Sequence, residues 1–278
     1  MRFRKTSALA VGVDAYLGKF PEGGRKSEGL SMRKALFGRI KRLHPKHLTD
    51  PRRRANRVVQ AMHSEMSVIS SAVDDPGQPN EYLIDLLLRA GSIAPSTELS
   101  SLADRCSNLH DATFVQQWPG EHYRLLAALG VALNAQSVLE IGTFTGLSAL
   151  ALRSTVPSVI TNDIVPWAEI PGTVLNGSDF DSGVSQLIGD LSDPLVFKKS
   201  SELILAADFI FIDGPKNGKF EVNIEPQLRT LLRGSGKVVV WDDTRVMTMV
   251  GFWRSLDLPK IDATSLGHWS GTGIIQYC

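Results

Sequence analysis

The chain has 278 residues, 43% hydrophobic and 21% charged, with a formal net charge of +1. That is enough to bury a sizeable core, in one large domain or one domain with an extension. With only Cys106 and Cys278, a disulfide framework is excluded and a reducing, cytoplasmic setting is expected. No apolar run reaches the ~18 residues of a membrane span. The short stretch Ala8–Val13 lacks the following cleavage signal of a leader.

Charge divides the chain unevenly. Residues 1–57 hold 16 Lys+Arg against 4 Asp+Glu, leaving 14 basic and 25 acidic residues for 58–278. Such an arm suits nucleic acid or an anionic membrane surface. No aromatic or nucleic-acid motif accompanies it, so the plainer reading is a solvated extension lying against the acidic body or a second subunit. Pro21, Gly23, Gly24 and Gly29 predict an irregular start. A basic helix is predicted over Ser31–Arg42. After Pro45 and Pro51 a second runs over Arg53–Val73, where Val58, Val59, Met62, Met66, Ile69 and Val73 recur at spacings of three and four. The cluster DDPGQPN at 74–80 is a turn, followed by predicted helices over Tyr82–Ala90 and Leu99–Leu109.

From Gly120 the texture changes. A predicted helix over Tyr123–Leu133 leads into the apolar run SVLEI (137–141), a glycine-bearing turn and a helix over Ser148–Arg153. Four more short apolar runs follow: SVITND (158–163), VSQLIG (184–189), DFIFID (208–213) and KVVVWD (237–242). Helical segments around 194–205 and 221–232 separate the later ones. Strand and helix alternating in this way predict a doubly wound α/β domain, a mostly parallel sheet covered on both faces.

The first strand ends in Glu140-Ile-Gly-Thr-Phe-Thr-Gly146. A glycine there lets backbone approach a ligand, and the following helix N-terminus offers free N–H groups. The Gly142-x-x-x-Gly146 spacing is not the G-x-G-x-x-G of a dinucleotide fold, which disfavours a nicotinamide oxidoreductase. Asp163, at the end of the second strand, is placed to accept from the ribose hydroxyls of an adenosine ligand; a turn or cap residue is the alternative. Asp190, past the third strand, is placed to meet an adenine amino group, or simply caps a helix. Asp213 and the pair Asp242–Asp243 follow the fourth and fifth strands, so three carboxylates should converge beyond neighbouring strand tips. Unpaired they would repel and desolvate badly. A hard divalent cation removes that conflict, and all-oxygen ligation favours magnesium, manganese or calcium over zinc. The alternative is that some of these acids cap helices or bond backbone amides.

The stretch PGEHYRLLAALGVALNAQSVLEIGTFTGLSALALRS, followed by FIDGPKNGKFE, VVVWDD and the terminal GTGIIQY, resembles the class I S-adenosylmethionine-dependent methyltransferases, in particular the catechol and caffeoyl-CoA type of small-molecule O-methyltransferase. The resemblance covers 119–278. It implies a seven-stranded Rossmann-like sheet whose last strand, near Gly273–Tyr277, is antiparallel. It also implies cofactor contacts at Glu140, Gly142, Phe144, Ser148 and Asp163, with Asp190 strengthened as another. In Asp-Gly-Pro-Lys, the family's acid-x-x-lysine element implies that Asp213 binds metal and Lys216 takes the acceptor's proton; a solvated loop lysine is the plainer reading. The family's second metal motif is usually Asp-Asn, whereas this chain has Asp242-Asp243. That departure resembles antibiotic- and sugar-modifying relatives and puts a catechol substrate in doubt.

His268 and Trp269 precede the last strand, and such a histidine serves as a base or, more plainly, bonds backbone in its loop. His122 and Tyr123 read as packing residues near the cofactor. His44, His47, His63 and His110 show no metal-ligand spacing. The expected protein is therefore an S-adenosylmethionine-dependent O-methyltransferase of a small-molecule hydroxyl, assisted by a divalent cation, magnesium first. A cofactor-binding module without turnover, or a nucleic-acid methyltransferase using the basic arm, are the rivals. Residues 1–52 form the arm, 119–278 the catalytic domain, and 53–118 a helical region expected to cap the acceptor pocket and help form a homodimer.

Overall fold

The computed structural model describes residues 77–278. The basic arm and the helices expected over Ser31–Arg42 and Arg53–Val73, with Met62 and Met66, lie outside the described residues. Seven strands form one sheet: β1 (Ser137–Ile141), β2 (Ser158–Asp163), β3 (Val184–Ile188), β4 (Phe209–Ile212), β5 (Lys237–Asp242), β6 (Lys260–Asp262) and β7 (Thr272–Tyr277). Their order is β3-β2-β1-β4-β5-β7-β6. β1 to β5 run parallel, and β7 is antiparallel to both its neighbours. This is the class I methyltransferase, Rossmann-like arrangement. The three-residue β6 carries no apolar run, so no periodicity announced it.

The described helices are α1 (Glu81–Ile93), α2 (Ser100–Ala103), α3 (Leu109–Gln116), α4 (His122–Ala132), α5 (Leu147–Arg153), α6 (Gly177–Asp181), α7 (Pro194–Lys199), α8 (Ser201–Ala206), α9 (Phe220–Leu232) and α10 (Met247–Ser255). The helix expected over Leu99–Leu109 is instead two pieces. Asn108 has extended backbone and its side chain accepts from the Asp111 N–H, so it starts α3 rather than continuing α2. The helix expected around 194–205 likewise divides at Ser200, which ends α7 and begins α8.

Alternation along the strands makes both sheet faces apolar. Val138, Phe209, Phe211, Val238 and Val240 point to one face, against Leu125, Leu126 and Leu129 of α4 and Leu83, Leu86 and Ala90 of α1. Leu139, Ile210, Ile212, Val239 and Trp241 point to the other, against Ile224, Leu228 and Leu232 of α9 and Met249 and Trp253 of α10. Helix α1 therefore belongs to the same core as the sheet. Its N-cap Asn80 accepts from the Leu83 N–H and donates to Gln276 Oε1 at 2.6 Å, tying the helix start to β7. Leu86 is fully buried, so Leu86→Ala should destabilise the domain by about 2–5 kcal/mol. Denaturant unfolding checks this; a loss under about 0.5 kcal/mol would mean that α1 is only loosely attached.

Candidate active site

The turn after β1 is built around two glycines with positive φ. Gly142 (φ 111°) lies so close to the tip of β4 that a Cβ there would sit 2.1 Å from the Asp213 carbonyl oxygen. Gly146 (φ 86°) opens α5, and a Cβ there would meet Leu175 at 2.4 Å. Between them Phe144 takes φ 40° and leaves its ring 72% exposed. The Asp163 carboxylate holds this turn. One oxygen accepts from the Thr143 and Phe144 N–H groups at 3.1 and 3.2 Å, the other from those of Ile164 and Val165 at 2.7 and 3.3 Å.

Glu140 lies beneath the turn, fully buried. Thr161 donates to it at 2.5 Å and in turn shares a 2.8 Å hydrogen bond with Thr143. Burial pushes the Glu140 carboxyl up to about 8, against the opposing pull of the Ser148 and Thr161 hydroxyls beside it. Ser148 is also buried, in the first turn of α5. Asp190 is exposed past β3 and accepts from the Ser192 N–H at 2.8 Å. Thus Gly142, Phe144 and Asp163 form the turn itself, Glu140 and Ser148 support it from within, and Asp190 stands at the rim.

A second cluster lies at the tips of β4 and β5. Lys216 donates to Asp213 Oδ1 at 2.5 Å and lies 3.4 Å from Asp243 Oδ2. Asp242 is buried between two imidazoles: His122 Nδ1 is 3.5 Å from its Oδ1, and His268 Nδ1 is 3.4 Å from its Oδ2. His268 Nε2 also reaches Glu121 Oε2 at 3.3 Å. Ser270 donates to Asp243 and lies 2.6 Å from His268 Nδ1. From sequence alone His122 reads as a packing residue, and nothing marks Glu121 or Ser270. They come from the start of α4 and the loop before β7, too far apart in sequence for any spacing to reveal them.

The electrostatics follow from crowding. Burial works against a charge on Asp242, but His122, His268 and Lys216 outweigh it and hold the carboxyl well below the usual carboxylate range. Burial likewise opposes a proton on His268, yet Asp242, Asp243 and Glu121 raise it to about 10. For Lys216 the opposing burial is overcome by Asp213, Asp242 and Asp243, which hold its ammonium above the ordinary lysine range. Despite this pairing, several buried polar atoms have no hydrogen-bond partner: both ring nitrogens of His122, Asp242 Oδ1 and Glu121 Oε1. His122, Asp213 and Asp242 each bring a ligand atom within 4.8 Å of the others, as do Asp242, Asp243 and His268. Buried His122 nitrogens and Asp242 Oδ1 without partners, close to further carboxylates, are a donor set that a divalent ion could use.

The sequence profile described as O-methyltransferase matches residues 104–251, which run from before α3 past the tip of β5 and take in the residues of both clusters except His268 and Ser270. The chain belongs to the O-methyltransferase family. It is an S-adenosylmethionine-dependent methyltransferase of class I. No curated protein matches it. Among solved structures it is similar to the SAH-bound methyltransferase PaMTH1 of Podospora anserina, with 14% identity over 82% of this chain and 97% of that one and a TM-score of 0.42. Cofactor-bound Rv0187 from MTB shares 22% identity over 72% and 98%, at a TM-score of 0.42. The O-methyltransferase of Bacillus cereus in complex with SAH shares 17% over 80% and 97%, at 0.40. No helix among the described residues is long and apolar enough to cross a membrane.

The buried carboxyl gives this methyltransferase a pH signature. Glu140 titrates near its ordinary 4.5 when unfolded and at about 8 in the fold, so folding takes up a proton between these values. Its contribution is complete below the lower value and is lost as pH rises through the upper one. Glu140→Gln should therefore flatten the decline of Tm over roughly pH 5 to 8. Parallel Tm–pH curves for the two proteins would show that Glu140 is ionised in the fold.

Proposed function

We propose that this enzyme methylates a hydroxyl of a small-molecule acceptor, with Asp213, Asp242 and Asp243 holding a divalent cation beside the reacting groups. The observation that carries this reading is the contact between the two clusters. Gly142 lies directly against the Asp213 carbonyl, so the turn that would take the donor adjoins the acid–lysine pair. Donor and acceptor would bind on the two sides of that contact, and holding them in line at near-attack distance would supply much of the rate.

S-adenosylmethionine would supply the sulfonium methyl group. Asp163 would meet its ribose while ordering the turn, Phe144 would cover it and Asp190 would face the adenine. The residues at the β4 and β5 tips fit a divalent ion, since buried Asp242 Oδ1 and the His122 nitrogens stand without partners. Such an ion would supply Lewis acidity that lowers the pKa of a nearby hydroxyl. Lys216, one hydrogen bond from Asp213, would take the acceptor's proton once the charge of the surrounding carboxylates is neutralised. Met247, Trp269 and Phe144 are exposed near the tips of β5, β7 and β1 at 89%, 69% and 72%. An acceptor with an apolar body beside its hydroxyl suits them.

Two measurements test this. Asp163→Ala should weaken binding of S-adenosylhomocysteine by roughly 10- to 100-fold, since ligand hydroxyls and turn amides both lose their acceptor; unchanged affinity in the folded variant would place the ribose elsewhere. Chelation and Asp213→Ala should each abolish adenosylhomocysteine production from a panel of hydroxylated acceptors while leaving cofactor binding within about threefold. Turnover that survives both would remove the cation from the reaction.

A further inference from the structure

We infer that His122 is itself a metal ligand, its imidazole joining Asp213 and Asp242 around the divalent ion of the reading above, on which this inference rests. Three acids in sequence imply a site of oxygens alone. The geometry of this chain supplies a nitrogen as well.

His122 is the first residue of α4 and only 4% exposed, yet neither ring nitrogen has a hydrogen-bond partner. A buried imidazole with both nitrogens unsatisfied is costly, because at least one lone pair or N–H has been stripped of water without replacement. Its nearest charged atom, Asp242 Oδ1, is 3.5 Å away and equally unpartnered. That is longer than a good hydrogen bond, but it suits two ligands sharing one ion. Asp213 closes the group, with all three ligand atoms inside 4.8 Å.

The neighbours leave a place for His122 beside the acids. Asp243 accepts from Ser270 and faces Lys216 at 3.4 Å, and Asp213 accepts from Lys216. On Asp242, His268 faces Oδ2, which leaves Oδ1 to the His122 side. The His122 ring is also fixed in place: Tyr123 lies at 4.5 Å, Phe211 at 5.4 Å and the edge of His268 at 5.1 Å between ring centroids. A ligand so confined loses little rotational freedom on binding. With an imidazole beside the carboxylates, the site should take a first-row ion such as manganese, cobalt or zinc in preference to magnesium or calcium.

The test is electron spin-echo spectroscopy of the full-length protein loaded with Mn(II). Modulation from a coordinated imidazole nitrogen is expected in the wild-type protein, lost in His122→Gln and kept in His268→Gln. His122→Gln should also lower Mn(II) affinity by about tenfold or more, the scale seen even for outer-sphere partners. Should His122→Gln fail to fold, the wild-type and His268→Gln spectra still decide. Bound Mn(II) without nitrogen modulation overturns the inference and leaves an all-oxygen metal site standing. Modulation that persists in folded His122→Gln, or vanishes in His268→Gln, also overturns it. Failure of Mn(II) to bind a protein that still binds S-adenosylhomocysteine removes both this ligand and the cation itself.

Discussion

Where β1 ends, a side chain would have to pass through the carbonyl of Asp213, 2.1 Å from the position of its first carbon. That missing carbon lets two strand tips touch, and the rest of the site is arranged around the contact. The parallel register of Leu139 with Ile210 and Ile141 with Ile212 brings the tips level. On one side Asp163 gathers the turn's amides into a cradle; on the other Asp213 reaches Lys216. Ligands collect beyond the carboxyl ends of parallel strands because backbone groups there have lost their ladder partners. Here the absence of one Cβ decides how near the glycine turn and the Asp213–Lys216 pair can come.

The second constraint is charge. Glu121, Asp213, Asp242 and Asp243 meet Lys216, His122 and His268 in a space from which much of the water has gone. Burying acids this way works against folding unless each finds a cation or a proton. Asp242 shows the outcome most clearly, since each of its oxygens faces a different imidazole. Local energetics alone do not favour such a cluster. Sites that break the rules of a good core in this way are generally those retained for chemistry.

How much could be read in the sequence follows from what each feature depends on. Strands β1, β2, β3, β4 and β5 announced themselves as short apolar runs because both faces of each are buried, and their C-terminal acids were legible as strand-tip residues. Helix ends were blurred: Asn108 restarts a helix where apolar spacing alone suggested continuity, and Ser200 divides another. β6 is three residues long and takes its place from β7, not from its own composition. His122, Glu121 and Ser270 were illegible as site residues because nothing local marks them; the sheet topology carries them to Asp242 and Asp243.

That topology makes different demands on the chain for the two clusters. The half of the site around Gly142 and Asp163 uses neighbouring strands, β1 and β2, joined by a single helix. The half around Asp242 closes only when the loop before β7 returns across the strand tips and sets His268 beside His122, nearly the whole domain away along the chain. The ladder that holds this loop in place pairs β7 with β5, with Thr272 opposite Asp242. The Asp163 turn therefore depends on near neighbours in the chain, while the contact of His122 with His268 depends on the strand that lies antiparallel beside β5.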